Sequence, residues 1–375
     1  MKISVHSTIS DLDQDSWNEL VPDNFPFAKY EFLAALEESG SLGKRTGWYP
    51  QFITAYTNKK LIGALIAYVK TNSYGEYIFD WAWADAWQKT GQQYYPKLTS
   101  AIPFTPATGN KILVSKNAKY ETTANAILEK LIQLQNELKC STSHILFSTP
   151  EENQIAENLN FTLRKTFQFH WKNNGYQNFD CFLSELKQKK RQKIRRERKE
   201  IASNPDVNII EVTGEKVAQY ADTFYELYLS TIDKKWSSDY LTENFFERIF
   251  QSMPVNILLY LAYEKENIVA GTLNFFGYDK IYGRYWGSFK DIRHLHFELC
   301  YYRPIEFAIK NKLQTFEAGA QGEHKIQRGL TPHPTYSLHH LPDTPLTGLI
   351  KQSISRETQQ VDKLLQEGKG FVYKD

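Results

Sequence analysis

Between residues 319 and 329 the chain reads Gly-Ala-Gln-Gly-Glu-His-Lys-Ile-Gln-Arg-Gly, which puts an acid, an imidazole, an ammonium and a guanidinium within six residues. Gly319 and Gly322 permit a tight loop with close backbone approach. Glu323 or His324 is a candidate proton acceptor. Lys325 and Arg328 are candidates to neutralise a carboxylate or phosphate. The competing reading is a polar loop in which Glu323 and Arg328 only pair with each other.

Three further stretches have chemical content. His294, His296 and Glu298 would project to one side of an extended segment, as metal ligands do. A helix starting before Pro304 defeats that geometry, so no metal is expected; His296 and Glu298 are instead candidates for a general base or for holding substrate. Asp80-Trp81-Ala82-Trp83-Ala84-Asp85, read as a strand, puts Asp80 on one face and Trp81, Trp83 and Asp85 on the other. Such a ladder suits a sugar, peptide or apolar chain, with core packing as the alternative for the tryptophans. Arg284, Tyr285 and Trp286 are expected to line an equivalent groove in the second half. Finally, nine of the thirteen residues from Lys187 to Lys199 are Lys or Arg. Lys189, Lys190, Arg191, Lys193, Arg195 and Arg196 suit phosphate, whether of tRNA, a nucleotide-linked precursor or a lipid head group. Leu183, Ile194 and Ile201 form one apolar stripe on this helix, and Lys190 beside that stripe predicts a break around 188–191. A solvated structural helix is the competing reading.

These stretches sit in a chain of 375 residues, long enough for two domains. Charged residues make up 23% and hydrophobic residues 41%, a globular composition. A net charge of +2 gives no global field toward nucleic acid or membrane, so any such attraction must be local. Cys140, Cys181 and Cys300 lack metal or redox spacing and read as free thiols in a reducing compartment. The N-terminus lacks the apolar core of a signal peptide. The longest apolar run, Leu61 to Val69, is too short to span a bilayer. The expected address is the cytoplasm.

Periodicity predicts strands at 3–5, 51–56, 61–70, 77–83, 111–114, 144–147 and 161–171, with helices at 29–38, 122–138 and 151–159. The second half predicts helices at 179–201, 217–229 and 242–250, then strands at 256–263, 268–276 and 280–288. A helix around Ile305–Ile309, a strand at 315–318 and a helical tail at 348–365 complete it. An internal repeat accompanies this order. Leu61-Ile62-Gly63-Ala64-Leu65 matches Val269-Ala270-Gly271-Thr272-Leu273, and the same shift sets Tyr74-Gly75-Glu76-Tyr77 on Tyr282-Gly283-Arg284-Tyr285. One residue off that frame, Tyr94-Tyr95 meets Tyr301-Tyr302. A period this long predicts two copies of a domain.

The blocks Ser73–Tyr77, Phe79–Asp85, Tyr94–Lys97, Tyr282–Gly287, His296–Tyr302 and Gly319–Lys325 with Arg328-Gly329 resemble bacterial FemAB-like proteins of peptidoglycan biosynthesis or recognition. The resemblance implies an α/β (α+β) fold of tandem GNAT-like domains, each a mixed sheet flanked by helices. The expected boundaries are 1–170 and 171–375, the second domain carrying the basic helix 183–201 and the loop 319–329. It also implies N-acyl or aminoacyl transfer to an amine-bearing acceptor such as a cell-wall precursor. Lys325 and Gly329 match the Lys-x-x-x-Gly stretch of Fem-type enzymes, and Lys189 to Arg195 matches their Lys-x-x-x-x-Ile-Arg. The phosphate-cradling Gln/Arg-x-x-Gly-x-Gly/Ala of CoA-dependent relatives has no clean copy; the nearest is Gln88–Gln93. No permanently bound cofactor is therefore expected, and the donor is acyl-CoA or aminoacyl-tRNA. A non-catalytic binding module and an RNA-associated protein are the alternatives.

Overall fold

Asn58 and Lys59 both take positive φ, 50° and 65°, and form a two-residue turn between the strands Phe52–Thr57 and Lys60–Leu65. Such turns match the twist of the strands they join. This hairpin centres a four-stranded antiparallel sheet ordered Lys2–His6, Phe52–Thr57, Lys60–Leu65 and Ile112–Val114. Helix Tyr120–Glu137 lays Ala124, Ile127, Leu128, Leu131 and Leu134 into the core beneath it; of the stripe expected from spacing, Ile127, Leu131 and Leu134 are buried, whereas Ala126 is half-buried and Leu138 is exposed beyond the helix end. The computed structural model describes residues 1–235, 239–319 and 322–374, without the side chains of 233–235, Glu323 and Lys369.

The chain forms two units, Met1–Phe167 with Pro334–Asp362, and Gln168–His333 with Lys363–Asp375. The contiguous boundaries expected from sequence miss the return of 334–362. Its physical cause is non-local: the end of strand Thr331–His340 pairs antiparallel with Ser143–Ser148, from Tyr336 opposite Ser148 to His340 opposite Ser143. In the first unit that strand joins a second ladder ordered Trp48–Pro50, Tyr68–Lys70, Lys97–Ser100 and Ser143–Ser148. Within it Lys97–Ser100 and Ser143–Ser148 run parallel.

In the second unit, Val207–Thr213, Ile257–Glu264, Asn267–Phe276 and Lys280–Ser288 form an antiparallel run. Helix Arg303–Lys310 then crosses to Thr315–Glu317, which lies parallel to Lys280–Ser288. That parallel ladder stops at Tyr282 opposite Glu317, so residues 283–288 extend beyond it. Helix Ala221–Lys235 occupies their margin. Thr231 Oγ1 donates to the Trp286 carbonyl at 2.6 Å, and the Ser288 N–H donates to Ser230 Oγ at 3.1 Å.

The repeat is real at one of its three matches. Gly63 and Gly271 both sit in a central strand paired on each side, and at each a Cβ would press on a helix residue, Thr123 or Leu227. Tyr74–Tyr77 lies in a loop whereas Tyr282–Tyr285 is strand, and Tyr94–Tyr95 precedes a strand whereas Tyr301–Tyr302 closes a helical turn. Those two matches are not structural equivalents. The segment 77–83 is likewise not a strand: Trp81–Lys89 is a helix. The break expected at 188–191 is not there, since Gln188–Ala202 is one continuous helix; the chain breaks before it, at Leu186 and Lys187, after helix Phe179–Glu185.

The tightest approach offers a test. A Cβ on Gly287 would lie 1.9 Å from the Leu227 carbonyl oxygen, a backbone atom that no rotamer can move. Gly287→Ala should cost about 3 kcal/mol as overpacking, read as a lower urea midpoint. Gly348→Ala, in a helix with nothing within 4 Å of the new methyl, should leave the midpoint unchanged or raise it by up to about 1 kcal/mol.

Candidate functional site

The loop after strand Thr315–Glu317 takes its shape from glycine. Gly319, Gly322 and Gly329 have φ of 81°, 110° and 87°, values that L side chains rarely adopt. A Cβ on Gly322 would sit 2.5 Å from His324 Cε1, and one on Gly329 2.6 Å from the Phe182 ring. Between them Glu323–Arg328 forms a short 3-10 helix. Ala320, Gln321 and the Glu323 side chain lie outside the described residues, so the Glu323 assignment has no structural reading.

Lys325 is 4% exposed and donates to the Gly319 carbonyl at 3.0 Å. Burial lowers its ammonium to about 8. That lysine remains mostly charged at neutral pH and loses its proton just above it. The neighbouring His324 is exposed, and its Nε2 is 2.9 Å from the Tyr301 hydroxyl. Partial burial and the charges of Arg328 and Lys325 hold its imidazole below the ordinary range, so it is neutral at pH 7. In the tautomer that donates from Nε2 to Tyr301, Nδ1 carries an available lone pair. The ring of His296 lies 6.0 Å from that of His324 and 5.2 Å from Trp286.

Arg328 turns away from this centre. Its guanidinium grips the Glu197 carboxylate at 3.0 and 3.1 Å, donates to the His324 carbonyl at 2.9 Å, and lies 3.3 Å over the Phe297 ring. Tyr302 donates to the same carboxylate. A ligand-facing role for Arg328 is therefore replaced by a fastening one. Glu298 is also committed: it is buried and accepts from Arg198 at 3.0 and 3.1 Å and from Arg303 at 2.9 Å. Its carboxylate is taken up by two guanidiniums. His294, His296 and Glu298 do not share an extended face, because His294 is left-handed, His296 lies in a helical turn, and Glu298 opens a single π-helical turn. No group of three or more His, Cys, Asp or Glu among the described residues is arranged to hold a metal.

Tyr285 and Trp286, as strand neighbours, face opposite ways. Tyr285 packs on Tyr228 and Phe246 in the core, with Arg284 over its ring, while Trp286 meets His296. The expected Arg284–Trp286 groove thus reduces to Trp286. On the basic helix, Ile194 and Ile201 are buried with Leu183 on the preceding helix. Lys190 reaches Gln327, Arg191 reaches the Ser184 carbonyl, and Arg195 pairs with Asp180 at 2.9 Å. Lys189, Lys193 and Arg196 face solvent on one side of the helix. Two clefts of about 320 and 420 Å³ open near Phe179, Arg303 and Glu306. The described residues of the loop 319–329 line neither.

In the first unit a buried polar cluster escaped sequence reading. Lys97, fully buried, donates to Ser73 at 3.0 Å, Glu76 at 2.8 Å and Asp80. Burial alone would strip its proton, yet Asp80 and Glu76 outweigh that and raise its affinity for it. Burial pushes Glu76 up to about 7, while Asp80, despite burial, is held low by Lys97. Tyr94 links Asp80 to His144, whose Nδ1 meets His339 Nδ1 at 2.7 Å, and His339 Nε2 meets Ser337 at 2.8 Å. Both imidazoles are held neutral by burial. Trp83 packs on His339, and Asp80 stands at the N-cap position of the helix that carries Trp81, Trp83 and Asp85, its carboxylate turned to Lys97 rather than to the helix amides. Trp83 and Asp80 are thus interior, whereas Trp81 and Asp85 face solvent.

The first unit buries a further lysine and carboxylate, away from the Lys97 cluster. Lys111, buried, donates to the Gly109 and Phe147 carbonyls at 2.7 Å each, and Glu152 accepts from the Lys111, Ile112 and Thr149 amides at 2.6, 2.7 and 2.8 Å.

A family model described as peptidoglycan biosynthesis/recognition matches residues 8–372. The chain belongs to the FemAB-like family. No curated protein matches the sequence. Among solved structures, FemX is similar with a TM-score of 0.54 at 13% identity, covering 94% of this chain and 100% of its own. The C-terminal domain of a putative lysylphosphatidylglycerol synthetase from Agrobacterium fabrum gives 0.57 at 7% identity, covering 92% and 97%. A conserved protein of unknown function from Bacteroides thetaiotaomicron gives 0.55 at 13%, covering 91% and 100%. At such identities these likenesses speak for the fold. It is a mixed α/β fold, as expected of a FemAB-like chain. No helix among the described residues is long and apolar enough to cross a membrane.

The fastening of the site can be measured. Glu197→Gln leaves Arg328 buried beside a neutral partner and should cost about 3 kcal/mol. Adding Arg328→Met should recover a large part of that loss, read as a coupling term in a urea double-mutant cycle.

Proposed function

We propose that this FemAB-like chain is an N-acyltransferase of the aminoacyl-transferring kind, acting in the cytoplasm on an amine-bearing cell-wall precursor, with its reaction centre in the second unit. The observation that carries the reading is the buried Lys325 ammonium, parked on the Gly319 carbonyl beside the neutral His324. Acyl transfer to an amine develops negative charge on the carbonyl oxygen and releases one proton from the attacking nitrogen. Lys325, charged at neutral pH, stabilises that oxygen. His324 Nδ1 takes the proton and returns it to the leaving oxygen as the carbon–oxygen bond of the donor breaks. Tyr301 orients the imidazole, and Trp286 with His296 offers an aromatic wall.

Two features favour an ester donor of the aminoacyl-tRNA type over acyl-CoA. The glycine cradle for a pyrophosphate has no clean copy in the sequence. The Trp286 carbonyl and Ser288 amide are already satisfied by Thr231 and Ser230, so an extended thioester arm has no strand margin to join there. The solvent-facing Lys189, Lys193 and Arg196 supply cations for donor phosphates. The competing reading is a non-catalytic binding module for the same class of acceptor.

Mass spectrometry of product from a charged tRNA or acetyl-CoA and a muramyl-pentapeptide acceptor separates these readings. Wild type should give product, and Lys325→Met should lose at least about 10²-fold in kcat/KM while staying folded. Saturable acceptor binding without product from either donor would leave the binding module. The pH dependence has a worked sign: the reaction needs Lys325 protonated, so the rate falls as pH rises through about 8, losing roughly tenfold by pH 9. An unchanged rate from pH 7 to 9.5 would remove Lys325 from the mechanism.

A further inference from the structure

Gly329, at the end of the short helix that carries His324 and Lys325, is gripped from two segments. It is buried with φ 87°, and a Cβ there would lie 2.6 Å from the Phe182 ring and 3.5 Å from Leu186. Its amide bonds back to the Ile326 and Lys325 carbonyls, and the Leu330 amide reaches the Lys325 carbonyl at 3.3 Å. Any shift of this turn therefore passes directly to the backbone that carries the Lys325 side chain. The Gly329 carbonyl itself accepts from the Tyr373 hydroxyl at 2.7 Å.

Tyr373 belongs to a segment that is anchored without that hydroxyl. The Lys187 amide donates to the Val372 carbonyl at 2.9 Å, the Lys374 amide to the Glu185 carbonyl at 3.0 Å, and Lys187 Nζ to the Gly370 carbonyl at 2.6 Å. Val372 is fully buried. The phenol is surplus to this attachment, and its hydrogen bond goes to the turn that closes the candidate site. Burial raises its pKa, so it stays a donor across the working pH range. The ionisable groups that bear on it are Tyr176 and Glu185, whereas Lys325 has Cys300, His324 and His170 as neighbours. Tyr373 thus acts on Lys325 through the backbone at Gly329 and not through a charge. A buried carbonyl that loses its donor is costly. Without the hydroxyl the turn moves to reach water, and the ammonium mounted on that turn moves with it.

We infer that Tyr373 is a positioning residue for Lys325: by satisfying the Gly329 carbonyl it holds the turn that keeps the Lys325 ammonium buried against Gly319. The effect on turnover rests on the transferase reading, whereas the positioning does not. Tyr373→Phe keeps the ring and removes only the oxygen. Labelling of Lys325 by acetic anhydride across a pH series, followed by peptide mass spectrometry, gives its titration midpoint without any turnover. Wild type should titrate at about 8. Tyr373→Phe should titrate at least about half a pH unit higher, roughly a threefold change in proton affinity, as water reaches the ammonium. With a charged tRNA or acetyl-CoA and the muramyl-pentapeptide at pH 7, kcat should fall about three- to tenfold at unchanged KM. Tyr278→Phe, at a ring 83% exposed, should match wild type in both assays. An unchanged Lys325 midpoint in Tyr373→Phe overturns the inference, whatever the thermal midpoint does, since a tie that only adds stability lowers the thermal midpoint alone. So does an unchanged kcat or a raised KM where wild type gives product. No product from wild type removes the transferase reading instead, and the labelling midpoint then decides the positioning by itself.

Discussion

The bidentate pair between Glu197 and Arg328 ties together everything at the candidate centre. Glu197 projects from the basic helix, Arg328 ends the short helix that carries His324 and Lys325, and Tyr302 joins the same carboxylate from the π-helical turn. Both charges are buried, so the pair loses solvation that only close geometry and extra hydrogen bonds can offset. Arg328 meets that requirement through the His324 carbonyl and the Phe297 ring. The tail adds a further tie, since the Tyr373 hydroxyl donates to the Gly329 carbonyl at 2.7 Å. Three chain segments far apart in sequence therefore fix one six-residue stretch.

The two units illustrate how the same architecture can be open or occupied. In each, an antiparallel run is followed by a parallel step, and a strand glycine lets a helix lie close. In the first unit Lys111 and Glu152 use their hydrogen-bonding capacity on carbonyls and amides of their own chain. In the second unit the loop keeps a lysine and a histidine with capacity to spare. The duplication preserved the framework while the polar groups took different tasks.

Local patterning made most of the framework readable. The strand 280–288 and the helix around Ala124–Leu134 follow from periodicity, and Gly40, Gly319 and Gly329 mark left-handed turns that glycine tolerates. Asp80–Asp85 misled because Trp-Ala-Trp-Ala alternates with the period of a strand. The alanines favour helix, and Trp83 with Trp87 gives the i, i+4 buried pair that the shorter window did not include. At the candidate site Lys325 was legible from its crowded loop. The commitments of Arg328 and Glu298 were not, since Glu197 and Arg198 sit far away in a run that reads as surface charge. The cluster of Lys97, His144 and His339 was hidden for the same reason: its members meet only through strand pairing.

The resting contact of Lys325 has a consequence for how a ligand enters. Its ammonium lies against a peptide oxygen of Gly319, and among the described residues no carboxylate pairs with it. An arriving carbonyl exchanges one uncharged acceptor for another, with no ion pair among the described residues to be torn open. The loop is thereby armed without a latch.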